Sequence, residues 1–290
     1  MDTAGLSHLE QAIYFASLRQ GERVIDTDAA SRLADVSRPH AVKLLSTMAR
    51  KGALHRVGRG QYVIVPSDVL HGRRGFVADP HQVIDAIMRQ DQVSAYYVAY
   101  QSAAFVYGAV QQLPQELLVA VPVQRRPIAL GSSRIMFVQL RAERLFGGQE
   151  MRYHESFFQV SDHEKTILDC LDRVDLCGGL DEVVRTVAQL LAEADTDRLL
   201  SYCERMQSKP LVQRLGFILE QLADRQLVPE KLINGLAQQV GRAVYRLDPH
   251  GPPEGPIHQR WRIRENVPVL PAVALQQDNN RLLTQAEGSG

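Results

Sequence analysis

Val36–Val65 reads VSRPHAVKLLSTMARKGALHRVGRGQYVIV, and the reading of this stretch decides the fold. Its first half has the marks of a helix. Ser37 is a candidate N-cap, because a hydroxyl there accepts a bond from a free backbone N–H two or three residues on. Pro39 falls in the first turn, where a missing N–H costs little. Ala41, Leu44, Leu45 and Met48 recur at helical spacing and define a buried stripe. Gly52 ends the helix after Arg50 and Lys51, whose charges suit its negative end. His40, Lys43, Thr47 and Arg50 fall on the opposite face, which is basic and rich in hydrogen-bond donors.

The second half predicts a β-hairpin. Ala53–Val57 and Gln61–Val65 are the strands, and Gly58-Arg59-Gly60 is the turn, with two glycines to supply positive φ. Arg59 is then held at the tip. Upstream, Thr27–Ala34 reads as a short helix capped by Thr27, linked to the next by Asp35-Val36-Ser37. Two helices at this spacing followed by a hairpin have the sequence shape of a winged helix-turn-helix. Any small helix-plus-hairpin unit shares part of that shape; the preceding helix is what favours the winged reading. In such a unit the second helix enters the major groove and the wing reaches a phosphate or the minor groove. The residues expected on double-stranded DNA are Ser37, Arg38, His40, Lys43, Thr47, Arg50, Arg56 and Arg59.

The 290 residues have room for two domains, and the net charge of zero hides an asymmetry. Met1–Arg74 holds 11 Lys+Arg against 7 Asp+Glu, and the remainder holds 22 against 26. A basic head on an acidic body suits a nucleic-acid module joined to a regulatory one. Cys170, Cys177 and Cys203 show no CxxC spacing, which argues against a disulfide framework or a structural zinc and for a reducing compartment. There is no apolar run of membrane-spanning length and no signal-peptide pattern, so the expected location is the cytoplasm, with no membrane contact.

Residues 1–75 are therefore expected to be the winged head and 76–290 a larger α+β body. In the head, Ser7 starts a helix over Leu6–Leu18, and Val24-Ile25 form a short strand. Ser67–Pro80 reads as a linker. In the body, helices are expected at His81–Arg89 and Tyr96–Tyr107, and strands at Leu117–Val121, Arg134–Leu140 and Phe157–Val160, giving a small mixed sheet over 95–160. A helical segment follows over 161–240, beginning at a Ser161 cap and including Asp181–Ala194, Thr196–Gln207, Pro210–Ala223 and Pro229–Val240. Late strands at Ala243–Leu247 and Arg260–Arg264 flank a stiff Pro/Gly loop, 248–256, and a loose tail follows Pro271.

No catalytic, metal or cofactor site emerges. There is no P-loop, GxGxxG, GxSxG or HExxH. Asp162-His163-Glu164-Lys165 is the one dense charged patch. A metal-dependent nuclease wants an acid and a lysine one residue apart; here Glu164 and Lys165 are adjacent at a helix start, where acids offset the helix dipole.

The order of several segments resembles the AbiEi antitoxins of type IV toxin–antitoxin and abortive-infection systems. The segments are LHRVGRGQYVIVP (54–66), YYVAYQSAAFVYG (96–108), LLVAVP (117–122), FFQVSDHEKTILDCLDR (157–173), RLGFILE (214–220) and RWRI (260–263). The third from the end is similar to that family's V-S-x-x-E-K/R-T-L-x-D-x-L element. The resemblance implies a regulator of phage defence that represses its own operon through the N-terminal domain. It also implies antagonism of a nucleotidyltransferase toxin, AbiEii, through the C-terminal domain. Departures are the long head with its added linker and the proline loop near Gly255. Asp181, Glu182, Glu193, Asp195 and Asp197 are the candidate acidic surface for such a partner. The rival readings are a stand-alone defence regulator without a toxin and a nucleic-acid-processing enzyme with a degenerate nuclease site.

Overall fold

Capping chemistry fixes where the first helices begin. The computed structural model describes residues 5–70, 78–112, 114–153, 156–223 and 228–269. Helix α1 (His8–Arg19) starts at Ser7, whose hydroxyl accepts from the Glu10 amide while the Glu10 carboxylate accepts from the Ser7 amide. Glu10 also takes the Lys51 ammonium at 2.6 Å. Burial pushes the Glu10 carboxyl up, but Lys51 and the Ser7 donors outweigh it and hold it below the ordinary carboxylate range. Strand β1 (Val24–Asp26) leads into α2 (Thr27–Ala34). Asp26, not Thr27, caps α2, its carboxylate taking the Ala29 amide at 2.7 Å. Both residues have capping oxygens, and the strand pairing of Asp26 with Gln61 settles the choice.

Helix α3 (Arg38–Arg50) runs as its spacing predicts, with Ala41, Leu44, Leu45 and Met48 buried. The Ser37 side chain makes no cap bond, however; its carbonyl accepts from His40 and Ala41 at 2.9 Å each. Strands β2 (Leu54–Gly58) and β3 (Gln61–Ile64) form the hairpin, with an irregularity between Arg56 and Gly58. Of the two turn glycines, Gly60 takes the positive φ, +76°. The three strands make an antiparallel sheet in the order β1-β3-β2. Ile13, Tyr14, Ile25, Leu45, Met48 and Tyr62 are the centre of one apolar cluster between helices and sheet. Each such side chain contributes about 1.5–3 kcal/mol on burial. Within the expected linker, Ser67–Leu70 forms one helical turn, α4; residues 71–77 lie outside the described residues.

Helix α5 (Pro80–Gln90) is capped by Asp79. The next segment differs from its reading as one helix over 96–107. Strand β4 (Tyr97–Val98) comes first, paired with Ala120 and Val119, and α6 (Tyr100–Val106) follows. Tyr-Tyr-Val favours strand packing, and Tyr100, buried at φ +56°, turns the chain out of it. Strands β5 (Glu116–Val121), β6 (Ile128–Leu130), β7 (Ser133–Gln139), β8 (Gly148–Tyr153) and β9 (Ser156–Ser161) complete a six-stranded sheet, β6-β7-β5-β4-β9-β8. β5 and β7 run parallel and register Leu118 with Met136; β6 turns back antiparallel on β7.

Helices then follow: α7 (His163–Asp172), α8 (Leu180–Leu190), α9 (Thr196–Met206), α10 (Lys209–Ala223) and α11 (Glu230–Gln238). Asp162 rather than Ser161 caps α7. The late strands are shorter than expected: β10 (Tyr245–Arg246) lies parallel to β12 (Ile263–Arg264), and β11 (Ile257–His258) lies antiparallel to β12. The 248–256 loop is clamped by Asn266, whose amide nitrogen donates to the carbonyls of Asp248 at 2.9 Å and Pro252 at 2.8 Å. The expected tail beyond Pro271 lies outside the described residues. Among those described, no helix is long and apolar enough to cross a membrane.

The chain is thus of mixed α+β class. It divides into two compact units: Met1–Val98 with Gln115–Leu140 and Glu150–Gln159, and Ala99–Pro114 with Arg141–Gln149 and Val160–Gly290. The boundary expected at 75/76 falls inside the first unit.

In the second unit, fully buried Trp261 packs against α10 at Gly216 and donates its indole N–H to Glu220 at 2.6 Å. A Cβ on Gly216 would sit 2.0 Å from the Trp261 ring. Gly216→Ala is therefore expected to destabilise the protein by about 1–3 kcal/mol or more through overpacking, read as a lower urea midpoint. Equal midpoints would mean that the indole is free to move away.

Candidate functional site

The exposed side of α3 carries Arg38, His40, Val42, Lys43 and Arg50, opposite its buried stripe. Helical periodicity places these five side chains together because Ala41, Leu44, Leu45 and Met48 claim the other face. Arg38 reaches back to Asp28 on α2 at 2.9 Å, but both partners are well exposed. Such pairs are worth about 0–1 kcal/mol, so Arg38 can exchange this partner for another. Thr47 is half-buried and accepts from Arg50 at 3.1 Å. Ser37 is exposed at the helix start, its hydroxyl not used as a cap. Arg56 is exposed on β2 and donates to the Gly58 carbonyl at 3.2 Å; Arg59 is exposed in the turn. Among the described residues, His40, Lys43 and Arg59 make no side-chain hydrogen bond or ion pair.

The residue that sequence reasoning missed here is Val42, 47% exposed in the middle of this basic face. Apolar residues are assigned to the core by default. The signal that could have found it is its place in the Arg38/Val42/Ser46 row, out of phase with the buried stripe.

The candidate acidic surface is paired in part within its own unit. Glu182 pairs with Arg185 at 2.9 Å, Glu193 lies 3.5 Å from His163, and Asp197 pairs with Lys231 at 2.5 Å. Asp195 caps α9 through the Arg198 amide, a bond that holds its carboxyl below the usual range. Asp181 is exposed in the first turn of α8.

The charged patch at the start of α7 is not a surface. Asp162, Glu164 and Lys165 are all buried, with Lys165 fully so. Asp162 takes the Lys165 amide at 2.8 Å and the Tyr202 hydroxyl at 2.9 Å. Burial pushes the Asp162 carboxyl up, against the pull of those two donors. It also pushes the Tyr202 hydroxyl up to about 12, helped by the Asp162 charge. Glu164 accepts from the Asp195 amide and lies 3.4 Å from the Arg198 guanidinium, so it closes the start of α9. The Lys165 ammonium pairs with Asp169 one turn on and stands 5.0 Å over the Phe146 ring. Ser161 and Thr166 share a hydroxyl–hydroxyl bond of 2.7 Å. Gly147, at φ +71°, has no room for a side chain: a Cβ would lie 2.8 Å from Lys165 Cβ and 3.1 Å from Tyr202. The three cysteines are buried and free. Among the described residues, no group of three His, Cys, Asp or Glu is placed to hold a metal.

Residues 96–221 match the family model described as the AbiEi antitoxin C-terminal domain. Over those residues the chain is similar to the C-terminal domain of the AbiEi antitoxins. A search of curated proteins finds no match. Among solved structures the chain is similar to the crystal structure of the RV2827C protein from Mycobacterium tuberculosis, with a TM-score of 0.71 at 14% identity. That likeness covers 94% of this chain and 96% of the other, and it shows a shared fold. The matched segment contains all of the buried Ser161–Asp169 network, so the S-x-x-E-K-T-x-x-D pattern in this chain is a folding element.

Removing one member of the buried pair leaves a charge without an answer. Lys165→Met is expected to cost about 3–5 kcal/mol, while the double variant Lys165→Met/Asp169→Leu recovers most of that loss. Urea unfolding of the two variants beside the wild type checks this. A double variant as weak as the single one would show that the ammonium is not what the site is built around.

Proposed function

We propose that the first seventy residues are a winged helix-turn-helix and that this protein is a DNA-binding transcriptional regulator. The observation that carries the reading is the exposed face of α3, where Arg38, His40, Lys43 and Arg50 surround Val42, with Arg59 at the hairpin tip. In this reading α3 lies in the major groove of an operator. Its N-terminal residues Ser37, Arg38 and His40, with Lys43, meet base edges, while Thr47, Arg50, Arg56 and the Arg59 wing meet the backbone. Val42 suits a thymine methyl group, the apolar feature of the major groove.

The AbiEi segment supports a second half to this reading, antagonism of a toxin, with the AbiEii type of nucleotidyltransferase as the partner its family suggests. Such a toxin handles nucleic acid and so has use for a basic face; Asp181, Glu182, Glu193, Asp195 and Asp197 offer charge complementary to one. Glu182 and Asp195 have internal partners; Asp181, together with Glu193 and Asp197, whose exposed pairs are weak, is best placed to meet a cation on another chain. The enzyme reading is disfavoured because Asp162 and Glu164, the acids it would use, are buried and occupied by Tyr202 and by the start of α9. Co-expression with the product of the neighbouring gene separates the antitoxin from a stand-alone regulator. Relief of toxicity by the full chain supports the first; a harmless neighbour leaves the second.

For DNA binding, affinity of the full chain for duplex DNA should fall steeply with salt, each phosphate contact adding about 0.9 to the log–log slope. Arg59→Ala should lower that slope by about one. Arg38→Ala and Lys43→Ala should each cost about 1–3 kcal/mol at a selected cognate site and little on random sequence if they make base contacts. Equal losses on both duplexes would assign these two residues to the backbone.

A further inference from the structure

The hairpin does not stand alone within the first unit. Gln61, the second residue after Arg59, donates its side-chain amide to Asp91 at 2.6 Å. The other oxygen of Asp91 takes the Arg125 guanidinium in a close ion pair. Arg125 also stands 5.3 Å over the Phe137 ring of β7. On β2, the His55 ring lies 3.4 Å from the Ala129 carbonyl on β6. These contacts bring the β5–β6 loop, Pro122–Pro127 (PVQRRP), beside the hairpin, its link through Asp91 meeting Gln61 next to the turn. The loop is bounded by prolines, and the Pro122 carbonyl accepts from the Gln139 side chain at 3.3 Å. It contains no acid, and Gln115–Leu140 as a whole holds three arginines against one glutamate. Arg125 is spent on Asp91. Arg126, next in the chain, is exposed, and among the described residues it makes no hydrogen bond or ion pair.

We propose that the β5–β6 loop is a second DNA-contacting element, with Arg126 meeting a duplex phosphate next to the one taken by the hairpin tip. This rests on the reading of the head as a DNA-binding unit and extends its surface onto the six-stranded sheet. The physical reason is positional. A duplex that touches Arg59 continues past the hairpin, and a backbone charge recurs about every 1.7 Å of helix axis. A cation held on a short, proline-bounded loop beside the hairpin meets that charge with little ordering to do. Asp91 has the positioning role: it joins Gln61 to Arg125 and so sets the loop against the hairpin.

The test uses the full chain and a random-sequence duplex of 40 base pairs, with affinity measured across a salt series and the complex mapped by hydroxyl-radical footprinting. Arg126→Ala is expected to lower the log–log salt slope by about one and to remove protection at one edge of the footprint, adjacent to the protection that Arg59→Ala removes. Arg126→Lys should restore both. Arg141→Ala, an exposed arginine outside this loop, should leave both unchanged and so exclude a simple loss of net charge. If Arg126→Ala matches the wild type while Arg59→Ala lowers the slope, the second element is wrong and the winged reading stands. If the wild type shows no salt-dependent binding to duplex DNA, both readings fall together.

Discussion

A lysine ammonium cannot be taken out of water without an answering charge, and the second unit is arranged to supply one. Lys165 is fully buried, paired with Asp169 and set over the Phe146 ring. Desolvating each ion costs several kcal/mol, and only close geometry with satisfied neighbours offsets that. The neighbours are accordingly fixed. Gly147 has no side chain because Lys165 and Tyr202 fill the space. Asp162 holds the Lys165 amide and the Tyr202 hydroxyl, and Glu164 closes the start of α9. One helical turn thereby ties α7 to α9 and to the segment before β8. An apolar replacement of a whole buried pair is often neutral or stabilising, so the pair is weak evidence for net stability; what is costly is removing one partner alone.

This explains why the burial of the charged patch was not legible in the sequence. Asp162-His163-Glu164-Lys165 invites two readings, a catalytic set or first-turn acids that offset the helix dipole, and neither fixes whether the patch is buried. The expected cap, Ser161, is one residue off: Asp162 caps α7, and Glu164 is the acid of its first turn. Neither reading anticipates burial, because burial here depends on Phe146, Tyr202 and Arg198, which are distant in sequence. A motif scan sees order and spacing; it does not see what closes over them.

Legibility elsewhere followed the strength of local patterns. The stripe of α3, the run Leu117–Val121 and the amphipathic α8 to α11 were readable because many residues agree on one period. Helix starts were read one residue off at Thr27 and Ser161, where two adjacent residues can each cap and tertiary pairing chooses between them. Strands β6, β8 and β11 were missed, being short or polar and held mainly by their neighbours. Tyr96–Tyr107 was read as one helix because a change from strand to helix at a single left-handed residue, Tyr100, leaves no mark on periodicity. Of the candidate surface on α3, the cations were found and Val42 was not, since an isolated valine carries no polar signal.

Charge is where reading by sequence blocks and reading by structure diverge most usefully. Cutting the chain at Arg74 makes everything after it look acidic and poorly suited to phosphate. Contacts divide the chain differently: the sheet strands Gln115–Leu140 group with the head, and they bring three arginines and one glutamate with them. One of those arginines is consumed by Asp91 and Arg134 has only an exposed pair with Glu116 at 2.9 Å, while Arg126 has no partner among the described residues. The acids of the helical part are reduced in the same way, since Glu182 pairs with Arg185 and Asp195 caps its own helix. What a partner meets is therefore not the segment total but the few charges left over after internal pairing. On that count the basic surface of the first unit is larger than its sequence block suggests, and the acidic surface of the second is smaller.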